Sequence, residues 1–255
     1  MLEMQKERTV CLPATLTPDA VDAFWVSLGE AVREGSHTIL VDCSRLEQVV
    51  SSHVNLLWQT YERCTEKRRT MRLHRVSDGL TRVLQALDLH EFFPDESQTQ
   101  PVDIRAVQGL QSITAARSDY VDAFQADGDE TTRALDRFMS YLEDMRLSDT
   151  LKFELRTVFY EVATNIRTHA LLREHDSIRF EARSDGERIM LKFSDEGIPF
   201  DLTSQPQVVD FRAAARRGQR RGFGIAMISQ LSDRLTYNRE NGTTNVLTVE
   251  KNWSR

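Results

Sequence analysis

Tyr160-Glu161-Val162-Ala163-Thr164-Asn165-Ile166-Arg167-Thr168-His169-Ala170 is the stretch on which the reading of the fold turns. Val158, Val162 and Ile166 recur every four residues, so one side of a helix over 155–170 is built to pack. Glu161 and Asn165 are also four apart, which brings both side chains within reach of one ligand. A carboxylate placed there takes a proton from an attacking hydroxyl or water, and an amide oxygen one turn on holds Mg²⁺ beside phosphates. Taken alone, the two residues fit an exposed polar stripe equally well.

Two later segments bear on it. The apolar run Ile189-Met190-Leu191-Lys192-Phe193 reads as a strand and leads into Ser194-Asp195-Glu196-Gly197-Ile198-Pro199-Phe200-Asp201. An aspartate at a strand end accepts a hydrogen bond from an adenine amino group, while the glycine lets the backbone pass close to the base. Arg220-Arg221-Gly222-Phe223-Gly224-Ile225 then precedes a helix expected over 226–235. Glycines at that place expose backbone N–H groups to a polyphosphate. Each pattern is common by itself, and their order is what is specific.

In that order the three segments resemble the N, G1 and G2 boxes of the GHKL ATPases. The His169-Ala170 and Pro199-Phe200-Asp201 endings are most similar to those of the bacterial anti-sigma factor serine kinases. The resemblance spans about residues 118–252 and implies a two-layer Bergerat fold, with helices on one face of a mixed, mostly antiparallel sheet. It implies ATP and Mg²⁺ as ligands, Glu161 as general base, Asn165 as the Mg²⁺ ligand and Asp195 as the adenine reader. Gly197, Gly222, Phe223 and Gly224 would shape the pocket, and the kinase half would form a homodimer. Of Arg212, Arg216, Arg217, Arg220 and Arg221, Arg220 is the first choice for the γ-phosphate and Arg221 the second, the others forming a solvated lid. His169 reads as a helix-end packing residue, and Asp176, Asp185 and Asp201 as turn residues.

Residues 8–93 alternate strand-like and helix-like runs in the order β-α-β-α-β-α, an α/β unit. Thr38–Asp42 is β-branched and continuous like a buried strand, Cys11 and Cys43 lie in similar runs, and Ser51-Ser52-His53 is read as the cap of a helix. Ile39-Leu40-Val41-Asp42-Cys43-Ser44, Val49 to Leu57 and Leu84 to Leu89 resemble a STAS domain, the fold of anti-sigma factor antagonists. That likeness implies phosphorylation at Ser51, although Val50 stands where the family carries Asp and His53 where it carries Gly.

Around these motifs the composition sets bounds. Charged residues at 28% and hydrophobic residues at 40% fit a globular chain, and 255 residues suffice for two cores. The expected organisation is a STAS-like domain at 1–96, a polar linker at 97–117 and an ATPase domain at 118–255. A net charge of −6 argues against direct nucleic-acid binding. Without a leader-like or membrane-length apolar segment, the expectation is a cytoplasmic protein off the membrane, with its three cysteines as free thiols. Three functions follow. The first is a serine kinase acting on a STAS-domain partner, its own or separate, with a sigma factor as a further partner. The second is an ATP-binding module that sequesters a partner without catalysis, and the third treats the STAS half as a scaffold.

Overall fold

The computed structural model describes residues 7–46, 48–94, 118–145, 147–171, 176–205 and 223–252. They form two compact units, 7–94 and 118–252.

The first unit runs β1 (Glu7–Cys11), α1 (Pro18–Arg33), β2 (Thr38–Asp42), α2 (Ser51–Glu66), β3 (Thr70–His74) and α3 (Asp78–Ala86), with a 3-10 turn at His90–Phe92. Its three strands are parallel in the order β1-β2-β3. All five residues of β2 are buried because helices and neighbouring strands cover it on every side, as the unbroken apolar run predicts. β1 is an edge strand, with Val10 its one buried residue, so Cys11 is exposed where the sequence suggests burial. Cys43 and Cys64 are buried, and none of the three cysteines is in a disulfide.

Thr17 caps α1 through its hydroxyl, which accepts from the Ala20 N–H at 3.3 Å, and Pro18 occupies the first turn. The start of α2 differs from the sequence reading. Val50, in extended conformation, is the residue before the helix, and Ser51 already lies in its first turn. The Val50 N–H donates to His53 Nδ1 at 3.2 Å, so the imidazole takes the part that a glutamate plays in a capping box.

The second unit runs β4 (Ser118–Gln125), α4 (Gly128–Glu143), α5 (Asp149–His169), β5 (Ser177–Ser184), β6 (Arg188–Asp195), α6 (Phe223–Leu231), β7 (Arg234–Glu240) and β8 (Thr244–Asn252). The strands form one sheet in the order β4-β5-β6-β8-β7, and every pairing is antiparallel. Alternate residues of β5 and β6 are buried, so one face of the sheet is covered by helices. Phe138 of α4 and Phe159 of α5 meet Phe180 of β5 edge-to-face at 4.9 and 4.8 Å, and Phe193 of β6 continues the cluster. Ser148 caps α5 by accepting from the Leu151 N–H at 3.2 Å.

The helix expected over 226–235 ends at Leu231, and Leu235 belongs to β7. β7 is a polar, half-exposed edge strand, which hides its period of two. The signal that marks it is Asn241-Gly242, whose positive φ values of 50° and 71° turn the chain within the three-residue loop between the paired Glu240 and Thr244, where the Thr243 N–H donates to the Glu240 carbonyl at 3.1 Å. Among the described residues no helix is long and apolar enough to cross a membrane.

Candidate functional site

The C-terminal end of α5 is joined to the loop that follows β6. The Ala170 carbonyl accepts from the Ile198 N–H at 2.8 Å. A Cβ on Gly197 would lie 2.2 Å from that same oxygen, so the approach of two backbones admits glycine alone. The rings of His169 and Phe200 stack at 4.6 Å, which makes His169 a packing residue. Two sequence segments on either side of a β-hairpin thereby become one wall.

Glu161 is buried on α5 and Asn165 half-buried one turn later. Asn165 Nδ2 donates to the Glu161 backbone carbonyl at 2.7 Å. With the amide nitrogen committed to the helix, the side-chain oxygen is the group left for a cation, which is the donor type Mg²⁺ takes.

Asp195 is the last residue of β6 and is buried. Its Oδ1 accepts from the Gly197 N–H at 2.9 Å and from Asn245 Nδ2 at 2.7 Å. Burial raises the Asp195 pKa above the ordinary carboxylate value, and nearby Asp176 adds to the rise. The donors on Asn245 and Gly197 and the Arg239 guanidinium oppose it. An acceptor so placed suits an amino group on a buried heterocycle.

α6 packs against α5 and brings Phe223 and Gly224 to this side of the unit. The Phe223 ring is buried in the core, and Gly224 is partly exposed. Arg212, Arg216, Arg217, Arg220, Arg221 and Gly222 lie outside the described residues. Asp201 accepts from the Thr203 N–H at 2.9 Å, and Asp185 from the Glu187 and Arg188 N–H groups at 3.1 and 3.0 Å, both as turn residues. Asn245 was not among the residues expected at the site. Its signal was there to read, because the period of two along β8 puts a polar Asn245 on the core face with Leu247 and Val249.

In the first unit Ser51 is half-buried in the opening turn of α2. His53 behind it is buried, which lowers its pKa against the pull of the Pro13 and Ala14 carbonyls. A neutral ring with Nδ1 as acceptor is the form that holds the Val50 N–H.

These features define an ATP-binding domain joined to a STAS domain. Residues 124–251 match the family model of the histidine kinase-like ATPase domain, and residues 3–94 that of the Mlab STAS domain. The first match spans half of the sequence, and the chain belongs to the histidine kinase-like ATPase family. Among curated proteins none matches the sequence.

Similar solved structures include the RsbU and RsbW domains of Rv1364c from Mycobacterium tuberculosis, at 11% identity and a TM-score of 0.38, covering 54% of this chain and 33% of that one. The SiaB-SiaC complex from Pseudomonas aeruginosa matches at 12% identity and a TM-score of 0.37, covering 51% and 88%. The histidine kinase domain of the Erythrobacter litoralis EL346 blue-light activated histidine kinase matches at 15% and 0.34, covering 93% and 95%. The chain spans a third of the length of the first, and likenesses at these scores carry no argument about activity.

Proposed function

We propose that this chain is an ATP-dependent protein-serine kinase of a bacterial partner-switching pathway. Its acceptor is a STAS-domain serine, either its own Ser51 or that of a separate antagonist. The observation that supports this most is the joining of Glu161 and Asn165 on α5 to the Asp195 loop across Gly197, in a chain that also carries a STAS domain.

Asp195 accepts from the adenine amino group and seats the base. The Asn165 carbonyl oxygen would hold Mg²⁺, which when bound offsets phosphate charge and makes the γ-phosphorus more electrophilic. Glu161 takes the proton of the serine hydroxyl as its oxygen bonds to the γ-phosphorus and the bond to the β–γ bridging oxygen breaks, releasing ADP. Arg220, with Arg221 second, balances the charge that develops on the transferred group. Gly222, Phe223 and Gly224 shape the phosphate side of the pocket.

In this reading 1–96 is the STAS domain, 97–117 the linker and 118–255 the kinase domain, which pairs with a second copy. A sigma factor is a further partner, held in one phosphorylation state of the antagonist. The protein acts in the cytoplasm.

Purified chain incubated with γ-labelled ATP and Mg²⁺ is expected to place label on Ser51 or on an added STAS protein. Glu161→Gln should remove the label while nucleotide uptake persists. Uptake with no transfer by the unaltered chain to either acceptor would instead favour a module that sequesters its partner and uses ATP only to set conformation.

A further inference from the structure

Asp195, Asn245 and Arg239 stand side by side on three neighbouring strands. The register pairs Asp195 with Asn245 across β6 and β8, and Asn245 with Arg239 across β8 and β7. The row has a chemical direction. A carboxylate only accepts and a guanidinium only donates, so a side chain between them must donate one way and accept the other. Asn245 does both. Its Nδ2 donates to Asp195 Oδ1 at 2.7 Å, while its Oδ1 accepts from Arg239 at 2.6 Å and from the Tyr237 hydroxyl at 2.8 Å. The same Nδ2 reaches the Ile198 and Gly197 carbonyls at 3.1 and 3.3 Å, so the amide also fixes the loop. A flipped amide would set its NH₂ against the guanidinium, and the partners therefore dictate its orientation.

The consequence falls on Asp195. Oδ1 already takes two donors, and among the described residues none stands at Oδ2. One oxygen of the carboxylate is held by the protein and the other is left for a ligand. An acceptor of this kind selects a donor. The 6-amino group of adenine supplies an N–H, whereas the 6-oxo group of guanine presents a second acceptor and leaves both unpaired.

We propose that Asn245, braced by Arg239, is the positioning residue that divides the Asp195 carboxylate in this way and so sets the preference for adenine over guanine nucleotides. The inference rests on Asp195 reading the base, and the variants below separate the two. The charged or titratable groups that act on Asp195 or close the row are Arg239 and Tyr237 from β7 and Asp176 ahead of β5.

The test is calorimetric titration of the full chain with ADP and with GDP in the presence of Mg²⁺. Asn245→Asp should lower ADP affinity roughly 10- to 100-fold at about pH 8.5, the loss expected for a hydrogen bond to a charged group. Affinity should recover as the pH falls toward about 6, because a proton shared between the two carboxyls restores a donor to Asp195. Asn245→Leu should stay weak throughout, and a merely structural role would give no such recovery. Arg239 is exposed, so Arg239→Gln keeps the fold; it should cost several-fold in ADP affinity and narrow the ADP-over-GDP preference. Wild-type affinity and preference in Arg239→Gln and Asn245→Asp, with Asp195→Asn weakened, would overturn the inference and leave Asp195 as the reader. Full ADP affinity in Asp195→Asn would overturn the reading of Asp195 itself.

Discussion

A methyl group at position 197 would collide with the Ala170 carbonyl, its carbon and the Asp195 carboxylate together. The first two are backbone atoms, so relief requires α5 and the loop to separate. Gly197→Ala is expected to destabilise the second unit by about 2 kcal/mol or more and to weaken ADP binding with it, read by denaturant titration and calorimetry. Asp42, at the end of β2, shows the opposite balance to Asp195. Its burial, the largest influence, favours the neutral acid, but the Ser44 N–H and the Arg75 guanidinium outweigh it and hold the pKa down to about 2. The unfolded value is about 3.9, so the unfolded chain takes the proton first as the medium is acidified. The stabilising contribution is complete above the unfolded value and disappears as the pH drops through about 2. Unfolding measured between about pH 5 and pH 2 should show a shallower acid loss in Asp42→Asn than in the unaltered chain.

At the scale of elements, α5 is tied to the sheet at both ends. Toward its N-terminal half, Glu154 is buried and pairs with Lys251 of β8 at 2.7 Å. Lys251→Met would remove the lysine charge that this buried carboxylate pairs with, with an expected loss of about 3–5 kcal/mol in chemical denaturation. Pairing it with Glu154→Leu should recover part of the loss, because the buried carboxylate is then removed together with its lysine. The elements themselves were legible where one physical signal dominated. Thr17-Pro18 and Ser148-Asp149 announced α1 and α5 through capping and first-turn chemistry, and the unbroken run at β2 announced a fully covered strand. β7 and the start of α2 were read wrongly, each for its own reason. A polar edge strand lacks the alternation that burial imposes, and a cap made by a histidine lies outside the usual capping residues.

At the scale of the whole molecule, each unit has its own apolar core, one around β2 and one around the Phe138, Phe159, Phe180 and Phe193 cluster. Unfolding is expected in two transitions, resolved by near-ultraviolet dichroism of a Trp253→Phe chain, whose two remaining tryptophans, Trp25 and Trp58, both belong to the first unit. ADP at about 100 times its dissociation constant should add about 2.7 kcal/mol to the second transition alone. A shift of the first transition by the nucleotide would contradict the placement of the site.

The sequence by itself determined the α/β and α+β character of the two halves and the identity of the residues at 161, 165, 195 and 197. Those follow from spacing and residue chemistry, which are local properties of the chain. It did not disclose the Asp195–Asn245–Arg239 row, because strand register is set by pairing between segments up to 50 residues apart. Nor did it disclose why residue 197 must be glycine. That requirement arises only when the end of α5 and the loop after β6 are packed so closely that a single carbon has no room.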